Sequence, residues 1–158
     1  MTRSRPHAWA LATRLVAGAA LCGACAADAT SKPAQAPAPN AEFDHTASCV
    51  AAMKSKAGTL GERYRAGDEA VRPELLSLTE AGFAFIGAAY EAGLRKDDAD
   101  RRLADAEEQQ KALPAAELAR LIDACHAEGR TLLDKSNAFE RALVRNAARM
   151  RVKRMRDK

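Results

Sequence analysis

From residue 41 to the end of the chain, apolar side chains recur at steps of three and four, which places them on single faces of helices. Between 41 and 65 the stripe is Thr46, Cys49, Val50, Met53, Ala57, Leu60 and Tyr64. Asn40 stands where an N-cap is expected, and Gly67-Asp68 breaks the pattern. Between 73 and 94 the stripe is Leu75, Leu78, Gly82, Phe85, Ile86, Ala89 and Gly93. Leu76, Phe83 and Tyr90 widen it, so this helix should be the most buried. Pro73 is tolerated in a first turn, where its missing N–H has no partner to lose. Gly82 and Gly87 cost helix stability and so imply a close helix approach.

A third, shorter segment covers 98–112, with Asp97 as N-cap and Ala99, Leu103 and Ala106 inward. The last starts at Pro114 or Ala115 and runs to about Met155. Its stripe is Leu118, Leu121, Ile122, Cys125, Gly129, Leu132, Leu133, Ser136, Phe139, Leu143 and Ala147. At 1.5 Å per residue, about 40 residues span roughly 60 Å. That is longer than a small bundle needs, so the helix either kinks near Gly129 or projects with its C-terminal third. The expected fold is all-α: an up-and-down helical bundle of about four helices with a long C-terminal helix.

Composition agrees. Alanine supplies 38 of the 158 residues, while Val and Ile together number seven. Ala loses no side-chain entropy in a helix, and the β-branched residues that strands prefer are scarce. Aromatics make up 4% of the chain, too few for the stacking platforms that bind single-stranded nucleic acid.

The first 26 residues read as an export signal rather than as fold. Arg3, Arg5 and Arg14 precede an uncharged apolar run from Leu15 to Leu21, which leaves through small residues. The run is shorter than the roughly 20 residues of a membrane span. Ala24-Cys25-Ala26 fits the small-x-small rule for release of a soluble product. Leu21-Cys22-Gly23-Ala24-Cys25 also resembles a bacterial lipobox, with Cys22 where Leu is usual, which would make Cys25 the lipidated first residue and a membrane anchor. Residues 27–40 are rich in Ala and Pro and read as a semi-extended disordered spacer. The remainder, 41–158, reads as one helical domain, and the expected location is the periplasm, soluble or lipid-anchored.

Removal or modification of the leader leaves Cys49 and Cys125, both on inward stripes, and an oxidising compartment would join them as a disulfide. Two other uses of these residues stand beside the disulfide. Cys125-His126 resembles the end of the haem-attachment motif on the last helix of periplasmic four-helix cytochromes, but Ile122 replaces the first cysteine. In that reading Met53 is an axial ligand, although a Met on an apolar stripe is more often core. His45 and Cys49, four apart on one face, would form a metal cluster if His126 met them across the bundle, at the expense of the disulfide. Neither reading displaces the disulfide, and no cofactor or metal is expected. No nucleophile elbow, phosphate loop, HExxH or Walker pattern is present, so a non-enzymatic protein is expected.

Charge divides the chain unevenly. Residues 26–140 hold 14 Lys/Arg against 20 Asp/Glu. Residues 141–158 hold Arg141, Arg145, Arg149, Arg151, Lys153, Arg154, Arg156 and Lys158 against Asp157. Cations near a helix C-terminus suit the helix dipole. As a contact face they would suit an anionic lipid surface, an acidic envelope protein, or the acidic body of a second copy in a homo-oligomer. An exported protein has little access to nucleic acid. The expected function is that of an exported, non-enzymatic helical protein of the bacterial envelope that binds a partner through its basic C-terminal helix. A small periplasmic stress holdase is the alternative, and a haem- or metal-binding bundle stands behind both.

Overall fold

A computed structural model describes residues 39–157. The export signal with Cys25, the spacer up to residue 38, and Lys158 fall outside the described residues. Within them the chain is all-helical, with no strand. The five helices are α1 (Pro39–Arg65), α2 (Arg72–Glu91), α3 (Lys96–Lys111), α4 (Ala115–Lys135) and α5 (Ala138–Arg156). A single 3-10 turn, Glu69–Val71, links α1 to α2.

Helices α1 and α2 each stop in the same way. Gly67 and Gly93 take φ values of 96° and 100°, a left-handed conformation open to glycine at little cost. Around Gly67, Asp68 N donates to Arg63 O at 3.0 Å and Gly67 N to Tyr64 O at 3.1 Å. Around Gly93, Leu94 N donates to Ala89 O at 2.9 Å and Gly93 N to Tyr90 O at 3.1 Å. Both are Schellman motifs, which satisfy the last carbonyls of a helix. Gly93 is therefore the stop of α2 rather than part of its buried stripe. Helix α3 starts earlier than expected: Arg95 is its N-cap, and Asp97 and Asp98 sit in its first turn, where the dipole favours acids.

The long C-terminal helix is not formed; the segment expected to be continuous is two helices. Ser136 and Asn137 take extended backbone conformations, with ψ of 159° and 168°. The Asn137 side chain accepts from Glu140 N at 3.0 Å, and Asn137 N donates to the Glu140 carboxylate at 2.9 Å. This is a reciprocal capping box. It stabilises a new helix start and outweighs the propensity of the surrounding residues to continue. The break also resets the helical phase. Phe139, Leu143 and Ala147, expected inward, are exposed, and Ala148 and Val152 are buried in their place.

The main core joins Cys49, Met53, Leu60 and Tyr64 of α1 to Leu75, Leu78 and Phe85 of α2, Ile122 and Cys125 of α4, and Val152 of α5. Helix α1 packs on α2, α3, α4 and α5, and α2 packs on α4 and α5. Helix α5 lies against α1 and α2 rather than running back along α4, so the basic end does not project freely. Its C-terminal turn is held on α1, where Met155 Sδ lies 3.3 Å from the position of a Cβ on Gly61 and Arg65 Nε donates to Met155 O at 3.3 Å.

Helix α3 meets α1 through a thinner, Ala-rich contact of Ala47, Ala51, Ala106 and Leu103. Polar groups complete it. Gln110 Nε2 donates to Ser48 O at 2.8 Å, and the Arg102 guanidinium bonds Asp98, Asp44 and Asn40 and lies over the Phe43 ring. The close approach expected at Gly82 and Gly87 occurs elsewhere. A Cβ on either would meet nothing within 4 Å, whereas one on Gly129 would lie 2.8 Å from Ala81 Cβ and 2.9 Å from Ala81 O. Gly129 is thus the point at which the α2 and α4 backbones come together.

Candidate functional site: the outer face of α5

Helix α5 has two apolar faces. One, with Ala148 and Val152, is buried on the bundle. The other carries Phe139, Leu143 and Met150, which are 72%, 53% and 49% exposed. These positions are four and seven apart, so they form one stripe along the helix. Among the described residues Tyr90 is the only other large apolar side chain that is exposed.

Basic residues border this stripe. Arg149 and Lys153 lie along one side, and Arg151 and Arg154 along the other; all four are exposed. Among the described residues none of these four forms an ion pair. Arg145, seven residues before the buried Val152, turns toward the bundle instead, in a cavity with Glu80 and Asp134. The remaining members of the expected basic face are placed differently. Arg141 turns back onto the end of α4, where its guanidinium donates to Asp134 O and Ser136 O. It closes the α4–α5 corner and leaves the outer face. Arg156 stands 4.0 Å from Glu69 and from Asp157.

An apolar groove of about 500 Å³ opens beside the N-terminal half of α5. Phe83 and Gly87 of α2, Leu132 and Leu133 of α4, and Leu143 and Val144 of α5 line it. Leu143 belongs to both the groove and the exposed stripe, so the two apolar surfaces are continuous. The groove exists because the break after α4 turns α5 across α2.

The disulfide between Cys49 and Cys125 is formed. It ties α1 to α4, with both residues buried. His45, on the solvent side of it, lies 3.7 Å from Cys49 Sγ through Nε2 and pairs with Glu128 Oε2 at 2.9 Å. The His45 and Phe85 rings meet edge to face, with centroids 6.2 Å apart. The cluster of His45 and Cys49 with His126 is not assembled. His126 points to α2 and bonds Ser77 Oγ at 2.8 Å. Burial, with Arg130 and Lys56 nearby, lowers the His126 pKa below its ordinary value. Glu128 takes the third place beside His45 and Cys49, and sequence reasoning missed it. The available signal was its spacing, one helical turn after Cys125. Met53, the residue considered as an axial ligand, is packed in the core at 2% exposure.

No family model matches the chain, and neither a curated protein nor a solved structure is significantly similar to it. Its functional reading therefore rests on its own residues.

Proposed function

We infer that this chain is an exported, non-enzymatic helical protein whose α5 outer face docks on an anionic lipid surface of the bacterial envelope. The observation that carries the reading is the exposed Phe139, Leu143 and Met150 stripe bordered on both sides by unpaired cations. An apolar face flanked by Lys and Arg is how a surface helix lies in the headgroup region of a bilayer. Its apolar side chains enter the acyl boundary while the cations meet the phosphates. An acidic protein partner would explain the cations but gives no reason for a Phe left 72% exposed among them.

No described helix is long and apolar enough to cross a membrane, so this mode of association is peripheral. The leader and the Ala/Pro-rich stretch after it support export, and lipidation at Cys25 would add a tether to the same surface. The buried Cys49–Cys125 disulfide is in keeping with an oxidising compartment. Each basic residue near an anionic bilayer contributes about 1 kcal/mol. Four free cations with a three-residue apolar stripe are sufficient for reversible binding.

The test is co-sedimentation with vesicles. The protein should pellet with phosphatidylglycerol-containing vesicles at low salt, stay in solution with pure phosphatidylcholine vesicles, and be released as salt rises. Equal partition to both vesicle types, or to neither, would sink the reading; capture by an acidic envelope protein alone would replace it.

A further inference from the structure

The polar cluster beside the disulfide is built from two helices at matched spacing. His45 and Cys49 stand four apart on α1, and Cys125 and Glu128 stand three apart on α4. The donor atoms of His45, Cys49 and Glu128 all lie within 4.8 Å of one another; Cys125 Sγ lies outside that group, bonded to Cys49 Sγ, and a turn of its side chain after the bond opens would bring it in as the fourth donor. The two sulfurs are buried, whereas His45 and Glu128 face solvent with side chains 51% and 46% exposed. Contact with Phe85 orients the imidazole.

We propose that opening the Cys49–Cys125 disulfide creates a binding site for a zinc-class divalent cation, with Cys49, Cys125, His45 and Glu128 as its four ligands. Two thiolates, an imidazole and a carboxylate are the donor set of a tetrahedral zinc site. Around such an ion neighbouring donor atoms stand roughly 3.3–3.8 Å apart, given bond lengths of about 2.0–2.3 Å. The His45 Nε2 to Cys49 Sγ distance of 3.7 Å is already in that range. The His45–Glu128 pair, at 2.9 Å, opens by a few tenths of an ångström as the imidazole proton moves to Nδ1 and the cation takes its place at Nε2.

The chemistry balances through a dithiol reductant. Its two thiols become a disulfide as the protein disulfide becomes two thiols. The cation then displaces the two thiol protons as the sulfurs coordinate. Disulfide and metal are thus alternative links between α1 and α4, and the ion enters from the solvent side, where His45 and Glu128 stand. This arrangement is independent of the α5 face.

Cobalt(II) is the probe. The full chain carrying Cys22→Ser and Cys25→Ser retains only the thiols of Cys49 and Cys125. After reduction, one equivalent of cobalt should bind per chain, with a thiolate-to-cobalt charge-transfer band and the visible bands of a tetrahedral ion. Far-UV ellipticity should return to its oxidised value if reduction has loosened the fold. The oxidised chain should show no charge-transfer band. His45→Gln and Glu128→Gln should each weaken binding by at least about 10-fold. The proposal fails if the reduced chain gives no thiolate band. It also fails if the oxidised chain binds equally well, if both substitutions leave affinity unchanged, or if a loosened reduced chain does not regain helicity with the metal.

Discussion

Opening the Cys49–Cys125 bond in the absence of metal should lower stability by about 4.5 kcal/mol. The two residues are 76 apart in sequence, and the loop-entropy relation for a closed loop of that size gives about 4.5 kcal/mol at 25 °C. A domain of this size has about 5–15 kcal/mol in total, so the cross-link accounts for a large share. The contribution arises mainly in the unfolded state. In the linked form both sulfurs are buried in the core.

Urea denaturation followed by far-UV ellipticity, on the chain with Cys22→Ser and Cys25→Ser, measures the effect with and without reductant in the presence of a chelator. The midpoint should fall by about 1.5–4.5 M for an m-value of about 1–3 kcal/mol/M, and m should rise because the unlinked unfolded chain exposes more surface. Cys49→Ala with Cys125→Ala should fall at least as far, since it adds a small cavity. A midpoint shift under about 0.5 M would refute the reasoning, because it would mean that the bond constrains no large loop.

Four further outcomes follow from particular contacts. Gly129→Ala should destabilise the fold by about 1–3 kcal/mol, because the added methyl meets the Ala81 backbone, whereas Gly87→Ala should stabilise by about 0.5–1 kcal/mol in open space; equal signs in urea titration would contradict the packing assigned to α2 and α4. Asn137→Ala removes the cap of α5 and should cost about 1 kcal/mol, with hydrogen exchange rising first in the opening turn of α5. The His126 pKa is lowered in the folded state, so the unfolded state binds more protons and stability should decline as pH falls through about 6.5. His126→Gln should remove that component, and an unchanged slope in a series of urea titrations would count against it.

Much of the fold was legible because the relevant signals are local. The stripes of α1 and α2 follow from their three- and four-residue steps, and the disulfide follows from two inward cysteines on separate helices. The break between α4 and α5 was legible too, in the Asn137-x-x-Glu140 capping pair, yet the unbroken apolar spacing through Ser136 and Phe139 pointed to a single helix. That spacing misled because a two-residue extended segment shifts the phase of everything after it. The consequence reaches the candidate site: Phe139 and Leu143 read as core, and their exposure is what gives α5 a second apolar face. Arg141 likewise read as part of a basic patch, while its use at the α4–α5 corner depends on a turn that periodicity does not encode. Gly82 and Gly129 illustrate the remaining gap, since which glycine meets a neighbouring backbone depends on how the helices cross, a non-local property.

The docking of α5 on an anionic bilayer is tested most directly by an indole placed on its outer face. In a chain carrying Trp9→Phe and Phe139→Trp, the single indole replaces the most exposed aromatic side chain of the stripe. On addition of phosphatidylglycerol-containing vesicles its emission should shift to the blue and be quenched by brominated acyl chains. Both changes should reverse at high salt and be absent with phosphatidylcholine alone. Emission that stays that of a water-exposed indole while the protein binds the vesicles would contradict the account, because contact would then lie on another face.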